Sequence, residues 1–142
     1  MLTVVRKIVL DTSALLMVLR REPGSERVEP LLSQAVMSAV NLAEVTGVLS
    51  RRGLPSSSVL ADIHKIVTEV RPFDSEQARL TVTLDEKTKG ELSLAACACL
   101  ALGVSTGYAV YTAVPAWADL NLGIQIEVLR TESSEKLAAV TR

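Results

Sequence analysis

The stretch KIVLDTSALL, residues 7–16, decides the fold. It begins with a short apolar run rich in β-branched residues, which is typical of a buried strand, and the run stops at Asp11. Thr12 and Ser13 follow, and then an apolar segment with helical character continues to Leu19. Asp is a favoured N-cap residue. We therefore predict a buried strand that passes directly into a helix, with a carboxylate at the junction.

The same alternation of strand and helix continues along the chain. Pro72 makes the third strand an edge strand, because a proline cannot donate a hydrogen bond to a neighbouring strand. Strands separated by helices imply crossover connections, so we predict an α/β fold with a mostly parallel central sheet flanked by helices. Further strands are predicted at 35–38, 69–73, 108–111 and 124–128, helices at 25–33, 40–51, 56–67, 74–87 and 93–102, and a short helical turn at 115–120.

The composition indicates one globular domain. Of 142 residues, 49% are hydrophobic and 22% charged, whereas only 3% are aromatic, so the core must be mainly aliphatic. We expect the domain to span residues 1–130, with residues 131–142 as a polar tail. The net charge of −1 argues against a broad basic surface for nucleic acid, although a nuclease that binds its substrate locally remains compatible with it.

The cysteines and the N-terminus bear on the cellular compartment. Cys97 and Cys99 are too close together for a disulfide framework and lie in an apolar run, so buried thiols are favoured over a Cys-x-Cys metal clip. The apolar N-terminus is similar to a signal peptide, but Asp11 interrupts it and no cleavage site follows. No run reaches the roughly 20 apolar residues that a membrane span needs. We expect a cytoplasmic protein without a membrane segment.

Acidic and hydroxyl side chains follow the predicted strands. In an open parallel sheet, ligands bind at the carboxyl ends of the strands, where Asp11 and Thr112 lie and where Glu44 comes one turn into the following helix. Carboxylates with hydroxyls beside them suit Mg²⁺ or Mn²⁺. Taken singly, the two acids are more simply explained as an N-cap and a solvated helical residue.

Several other kinds of site lack support in the sequence. No glycine-rich loop follows a strand, which argues against dinucleotide and P-loop sites. The only histidine, His64, lies in the middle of a helix among charged residues, so a Ser-His-Asp mechanism has no base. A receiver-like phosphoacceptor domain would need an Asp after a middle strand and a Lys after a later one, and neither is present.

Two longer segments carry a family resemblance. VLDTSALL at 9–16 and SAVNLAEV at 38–45 resemble the two acidic motifs of the PIN domain, in particular those of VapC-type toxins from toxin–antitoxin pairs. The resemblance covers nearly the whole chain. Five further segments also resemble the family. Each is weak evidence alone, but all of them in this order and at family-like spacing are specific evidence for it. These segments are 21–24, 52–55, 92–94, 98–102 and 116–120.

The resemblance implies a ribonuclease fold in which acidic residues surround one or two Mg²⁺ ions. It also implies a homodimer and an antitoxin whose C-terminal segment occupies the active-site groove. On this sequence, Asp11 and Glu44 take the first two acidic positions, as catalytic and metal-binding residues. Ser13 and Thr112 take the hydroxyl positions near the metal.

The sequence departs from the family pattern at two positions. Ala96 stands where the third acid is expected and Val114 where the fourth is expected. Both substitutions are compatible with the fold, but they remove ligands from a cation that prefers about six oxygens, so Mg²⁺ or Mn²⁺ binding should be weak. Glu91 and Asp119 are the candidate substitutes for the absent acids.

Two functions therefore remain open. The first is a Mg²⁺-dependent endoribonuclease toxin of a toxin–antitoxin pair, working with an incomplete acidic site. The second is a catalytically inactive PIN module that dimerises and binds an antitoxin-like protein or RNA.

Overall fold

A computed structural model describes residues 6–130, so the predicted tail at 131–142 lies outside the described residues. Its five strands form one parallel sheet in the order β3-β2-β1-β4-β5, with Ile8 of the central strand paired to Ala35 on one side and Ala109 on the other. This confirms the predicted α/β fold and places β3 at an edge. The strands are Ile8–Leu10 (β1), Ala35–Ser38 (β2), Glu69–Arg71 (β3), Ala109–Thr112 (β4) and Ile126–Val128 (β5).

The helices begin close to their predicted starts. The last long helix was predicted to end at Leu102 but continues to Thr106, where Gly107 with φ of 76° ends it in the left-handed region. The predicted helix at 25–33 is instead two short 3-10 segments, Ser25–Arg27 and Glu29–Gln34, and a third covers Pro115–Asp119. The helices are Thr12–Leu19 (α1), Ala39–Ser50 (α2), Ser56–Ile66 (α3), Ser75–Lys87 (α4) and Leu94–Thr106 (α5).

The core has one layer of helices on each face of the sheet. Side chains of a strand alternate between faces, so Val9 packs with the α4 and α5 residues Leu84 and Leu100. Leu10 packs on the other face with α1 and α3 residues such as Leu15 and Ile63. The core is accordingly aliphatic, and the free thiols of both cysteines are buried, as predicted.

Polar caps fix where the helices begin. Asp11 and Ser38 end β1 and β2 and at the same time cap α1 and α2, with side chains that accept hydrogen bonds from Ala14 N and Val40 N. Since these strands are parallel, both caps lie at the carboxyl edge of the sheet. No helix within residues 6–130 is long and apolar enough to cross a membrane.

Candidate functional site

A cavity of about 320 Å³ opens at the carboxyl edge of the sheet. It lies between the starts of α1, α2 and α5 and the turn after β4. It brings together both predicted acids, one predicted hydroxyl residue and the two positions, 96 and 114, where the resemblance implies further acids. The lining residues are Asp11, Thr12, Ser13, Leu16, Asn41, Glu44, Val48, Ser93, Ala96, Val114 and Trp117.

Asp11 is buried at the base of this cavity with 4% of its surface exposed. Its Oδ1 accepts hydrogen bonds from Ala14 N at 2.7 Å and Ser13 Oγ at 2.7 Å. Its Oδ2 accepts from Thr112 Oγ1 at 2.6 Å and Ser13 Oγ at 2.9 Å. The carboxylate is therefore both the N-cap of α1 and a fixed anion, so the N-cap and site interpretations of Asp11 are compatible.

Backbone amides orient the two hydroxyls. Ala113 N donates to Ser13 Oγ at 2.9 Å, and Val114 N donates to Thr112 Oγ1 at 3.1 Å. A hydroxyl that accepts from an amide directs its own proton elsewhere, here toward Asp11. Ser13 and Thr112 thus connect the turn after β4 to the carboxylate of Asp11.

The electrostatics of the cavity are negative. Burial raises the pKa of Asp11 to about 6, and the charge of Glu44 adds a smaller upward contribution. The hydrogen bonds from Thr112, Ala14 and Ser13 lower the pKa but do not cancel the effect of burial. No cation of residues 6–130 is among the groups that shift it. Within this part of the chain, Asp11 is therefore an anion without a counter-charge close by.

Asn41 connects the three helices around the cavity. It is 1% exposed, and its Nδ2 donates to Thr12 Oγ1 and to Ala95 O, each at 3.1 Å. Because a carbonyl oxygen can only accept, the amide cannot be flipped, and Oδ1 is left buried without a donor among the described residues. The sequence reasoning missed Asn41. The available signal was a polar residue four positions before Val45 on the buried face of α2.

The predicted site residues divide into two groups. Glu44 is exposed on α2 at the rim of the cavity, while Ala96 and Val114 form part of its wall. Glu91 and Asp119 line a different cavity, formed by segments 87–92 and 119–122. The structure does not bring these two candidate substitutes to Asp11.

The donor set can be tested against a divalent cation, which needs about six oxygen ligands. The cavity offers two carboxylates, and that of Asp11 already accepts four hydrogen bonds. Within residues 6–130, no group of three or more Asp, Glu, His or Cys side chains is arranged to hold a metal ion. The residues therefore do not fit a cation held mainly by protein ligands.

Several solved structures are similar to this fold, and some of them are named as VapBC or toxin–antitoxin structures. The DNA-bound VapBC structure from Salmonella typhimurium has a TM-score of 0.67 and 20% identity, covering 87% of this chain and 98% of that one. A toxin–antitoxin complex from Klebsiella pneumoniae has a TM-score of 0.65 and 14% identity, covering 87% and 98%. FitAcB from Neisseria gonorrhoeae has a TM-score of 0.62 and 23% identity, covering 86% and 97%. At these identities the likeness shows a shared fold.

Comparison with curated proteins gave no match. Comparison with family models does assign a family. The family model described as PIN domain matches residues 8–113, which include β1, β4 and every lining residue of the acidic cavity except Val114 and Trp117. The chain belongs to the PIN-domain family.

Proposed function

We propose that this PIN protein acts by binding an antitoxin-like polypeptide at the Asp11 cavity and that it does not cleave RNA. The observation that supports this most strongly is the cavity wall, in which Ala96 and Val114 stand beside only two carboxylates. The fold matches structures whose names identify them as toxin–antitoxin complexes. The proposed function includes the partner binding that the family resemblance implies. It does not include metal-dependent cleavage of RNA.

The chemistry of the cavity favours a basic side chain as its occupant. Among the described residues, the lining contains carboxylates but no lysine or arginine. Glu44 is exposed, so its carboxylate is available to a donor. An arginine carries five N–H donors and a fixed charge. Its guanidinium would be attracted by Asp11 and Glu44, and Trp117 in the wall offers a ring for a cation–π contact.

One observation favours the rival function, a Mg²⁺- or Mn²⁺-dependent endoribonuclease. Asp11 is a buried carboxylate without a cation among the groups that influence its pKa, and such a charge attracts a cation. In that case Asp11 and Glu44 would be the metal ligands, and water would supply most of the remaining coordination of the metal. The substrate would be RNA. The protein would act as a homodimer, as the family resemblance implies, and in the cytoplasm, as the cysteines and the lack of a membrane span predict.

RNA cleavage by matched variants separates the two functions. The purified chain, Asp11→Asn and the double variant Ala96→Asp with Val114→Asp are incubated with a mixture of structured RNAs in 5 mM Mg²⁺, 5 mM Mn²⁺ or EDTA. We expect no metal-dependent cleavage by the unchanged chain and cation-dependent cleavage by the double variant. Cleavage by the unchanged chain that stops in EDTA and in Asp11→Asn would overturn the proposal and establish the nuclease.

Partner binding is tested with defined peptides. Calorimetry compares an apolar pentapeptide that carries a central arginine with the same peptide carrying citrulline, which has the same shape without the charge. We expect the arginine peptide to bind about tenfold more tightly, and Glu44→Gln to remove that preference. Equal binding of the two peptides would show that the cavity does not select a basic side chain.

A further inference from the structure

A second and larger cavity lies at the opposite edge of the sheet. It has a volume of about 580 Å³, and its lining comes mostly from residues at or shortly before the starts of four of the five strands. At about 3.3 Å per residue, the step along β1 from Lys7 to Asp11 is about 13 Å. The two cavities are therefore separate. The lining residues are Arg6, Lys7, Ile8, Leu31, Gln34, Gly107, Tyr108, Ala109, Tyr111 and Gln125.

The charge of this cavity is opposite to that of the first. Of the residues that the structure describes, two cations and no carboxylate line it. Lys7 Nζ lies 3.2 Å from Glu69 Oε1, and Arg71 Nε lies 3.3 Å from Glu69 Oε2, so one carboxylate is shared by two cations. The side chain of Arg6 is exposed and makes no ion pair with the residues that the structure describes. A net positive charge is thus left available at this edge.

Aromatic rings and amides complete the lining. Tyr108 and Tyr111 are the only tyrosines of the chain, in a sequence with 3% aromatic residues, and both are partly exposed here. Aromatic faces such as those of tyrosine stack favourably against nucleobases of any sequence. Gln34 and Gln125 carry amides that can both donate to and accept from the polar edge of a base. Gln125 Nε2 already donates to Glu127 Oε1 at 2.7 Å, so its carbonyl oxygen is the freer atom.

We propose that this cavity binds a nucleoside phosphate, with the phosphate at Arg6 and Lys7 and the base against Tyr108. Its volume is within the range of about 300–1,000 Å³ that small-molecule sites occupy, and it exceeds the need of a phosphate ion alone. The ligand is either a free mononucleotide or the phosphorylated end of an RNA, since both present the same chemistry. The site does not depend on what binds at Asp11.

Binding is measured by calorimetry and by amide chemical-shift changes on the full chain. The probes are AMP, inorganic phosphate, and an RNA pentanucleotide with and without a 5′-phosphate. The variants are Arg6→Gln and Tyr108→Leu, with Arg52→Gln as the matched control, because Arg52 is an exposed arginine outside this cavity. Arg6→Gln changes an exposed side chain, so its result stands even if Tyr108→Leu lowers stability.

We expect AMP to bind, with shift changes at Tyr108 and Gly107 and weaker binding as salt rises. Arg6→Gln and Tyr108→Leu should each weaken AMP binding by about tenfold, whereas Arg52→Gln should leave it unchanged. Tighter binding of the phosphorylated RNA than of AMP identifies an RNA end as the ligand, and the reverse order identifies a free nucleotide. Absence of AMP and RNA binding at 5 mM, phosphate binding as tight as that of AMP, or equal binding by all variants would each overturn the proposal.

Discussion

Thr112 Oγ1 donates a 2.6 Å hydrogen bond to Asp11 Oδ2 across the boundary between β4 and β1. The donor is completely buried and the acceptor almost so. In such surroundings a hydrogen bond to a charged group is stronger than in water, and its loss leaves the charge undersolvated. The position of the carboxylate therefore depends on a hydroxyl in a neighbouring strand.

Replacing this hydroxyl should destabilise the protein in a pH-dependent way. Thr112→Val keeps the shape but removes the donor to Asp11, so we expect a loss of about 2 kcal/mol at pH 7.5. At pH 4.5 the carboxyl is mostly protonated, and the loss should be about half as large. Urea unfolding of both proteins at pH 7.5 and at pH 4.5 measures the two losses of stability. Thr83→Val on the exposed side of α4 is the control, and equal losses at both pH values would contradict the assignment.

The raised pKa of Asp11 predicts how stability changes with pH. A carboxyl whose pKa rises from 3.8 in the unfolded chain to about 6 in the folded protein binds more protons when folded, so its contribution to stability is lost as pH rises from 4 to 6. At about 1.36 kcal/mol per pH unit, the change is about 3 kcal/mol. The measurement is the free energy of unfolding of the unchanged chain minus that of Asp11→Asn. This difference should fall by the same amount as pH rises from 4 to 6. A pH-independent difference would show that the pKa is ordinary.

Restoring both acids should make stability depend on a divalent cation. Ala96→Asp with Val114→Asp places four carboxylates around one cavity, and their repulsion should lower the melting temperature in EDTA by several degrees. Millimolar Mn²⁺ should reverse that loss by binding the folded state of the double variant. It should change the melting temperature of the unchanged chain by no more than about 1 °C. Ala116→Asp is the control, because Ala116 is exposed and outside the cavity. An equal response of the control would exclude a restored site.

Two helical glycines should respond differently to alanine. A Cβ on Gly103 would lie 2.5 Å from Val110 Cγ2 and 3.2 Å from Ile124 Cδ1, so we expect Gly103→Ala to cost about 1–3 kcal/mol where α5 packs on β4. A Cβ on Gly47 would meet only the flexible end of Arg51 at 3.1 Å. Gly47→Ala should therefore be neutral or stabilising by up to about 1 kcal/mol. Thermal unfolding compares them, and a stabilising Gly103→Ala would contradict the packing.

The sequence was sufficient to predict the fold because local signals agreed with one another. Asp11, Asp74 and Ser93 were predicted to begin helices, and each accepts a hydrogen bond from a backbone amide of the first turn. His64 was predicted to lie within a helix among charged residues, and it is exposed on α3. The ends of strands and helices were predicted less accurately. The third strand was predicted to reach residue 73 but ends at Arg71, next to the proline that cannot continue the pairing.

The site was only partly predictable, since its chemistry depends on contacts between distant segments. Asp11, Glu44 and the two altered positions could be identified from family motifs because each lies at a fixed step after a strand or cap. The Asn41 connection to Ala95 joins residues 54 positions apart, and no local pattern predicts it. The candidate substitutes Glu91 and Asp119 were close in sequence to the altered positions, but their side chains line another cavity.

The hydroxyl support of Asp11 also bears on how such a site can change over evolutionary time. Because Ser13, Thr112 and the amide of Ala14 hold the carboxylate, its geometry does not require a bound ion or the acids at positions 96 and 114. Selection on folding alone therefore places little constraint on whether positions 96 and 114 carry acids. Acids at these positions could be gained or lost without a change in the framework that holds Asp11.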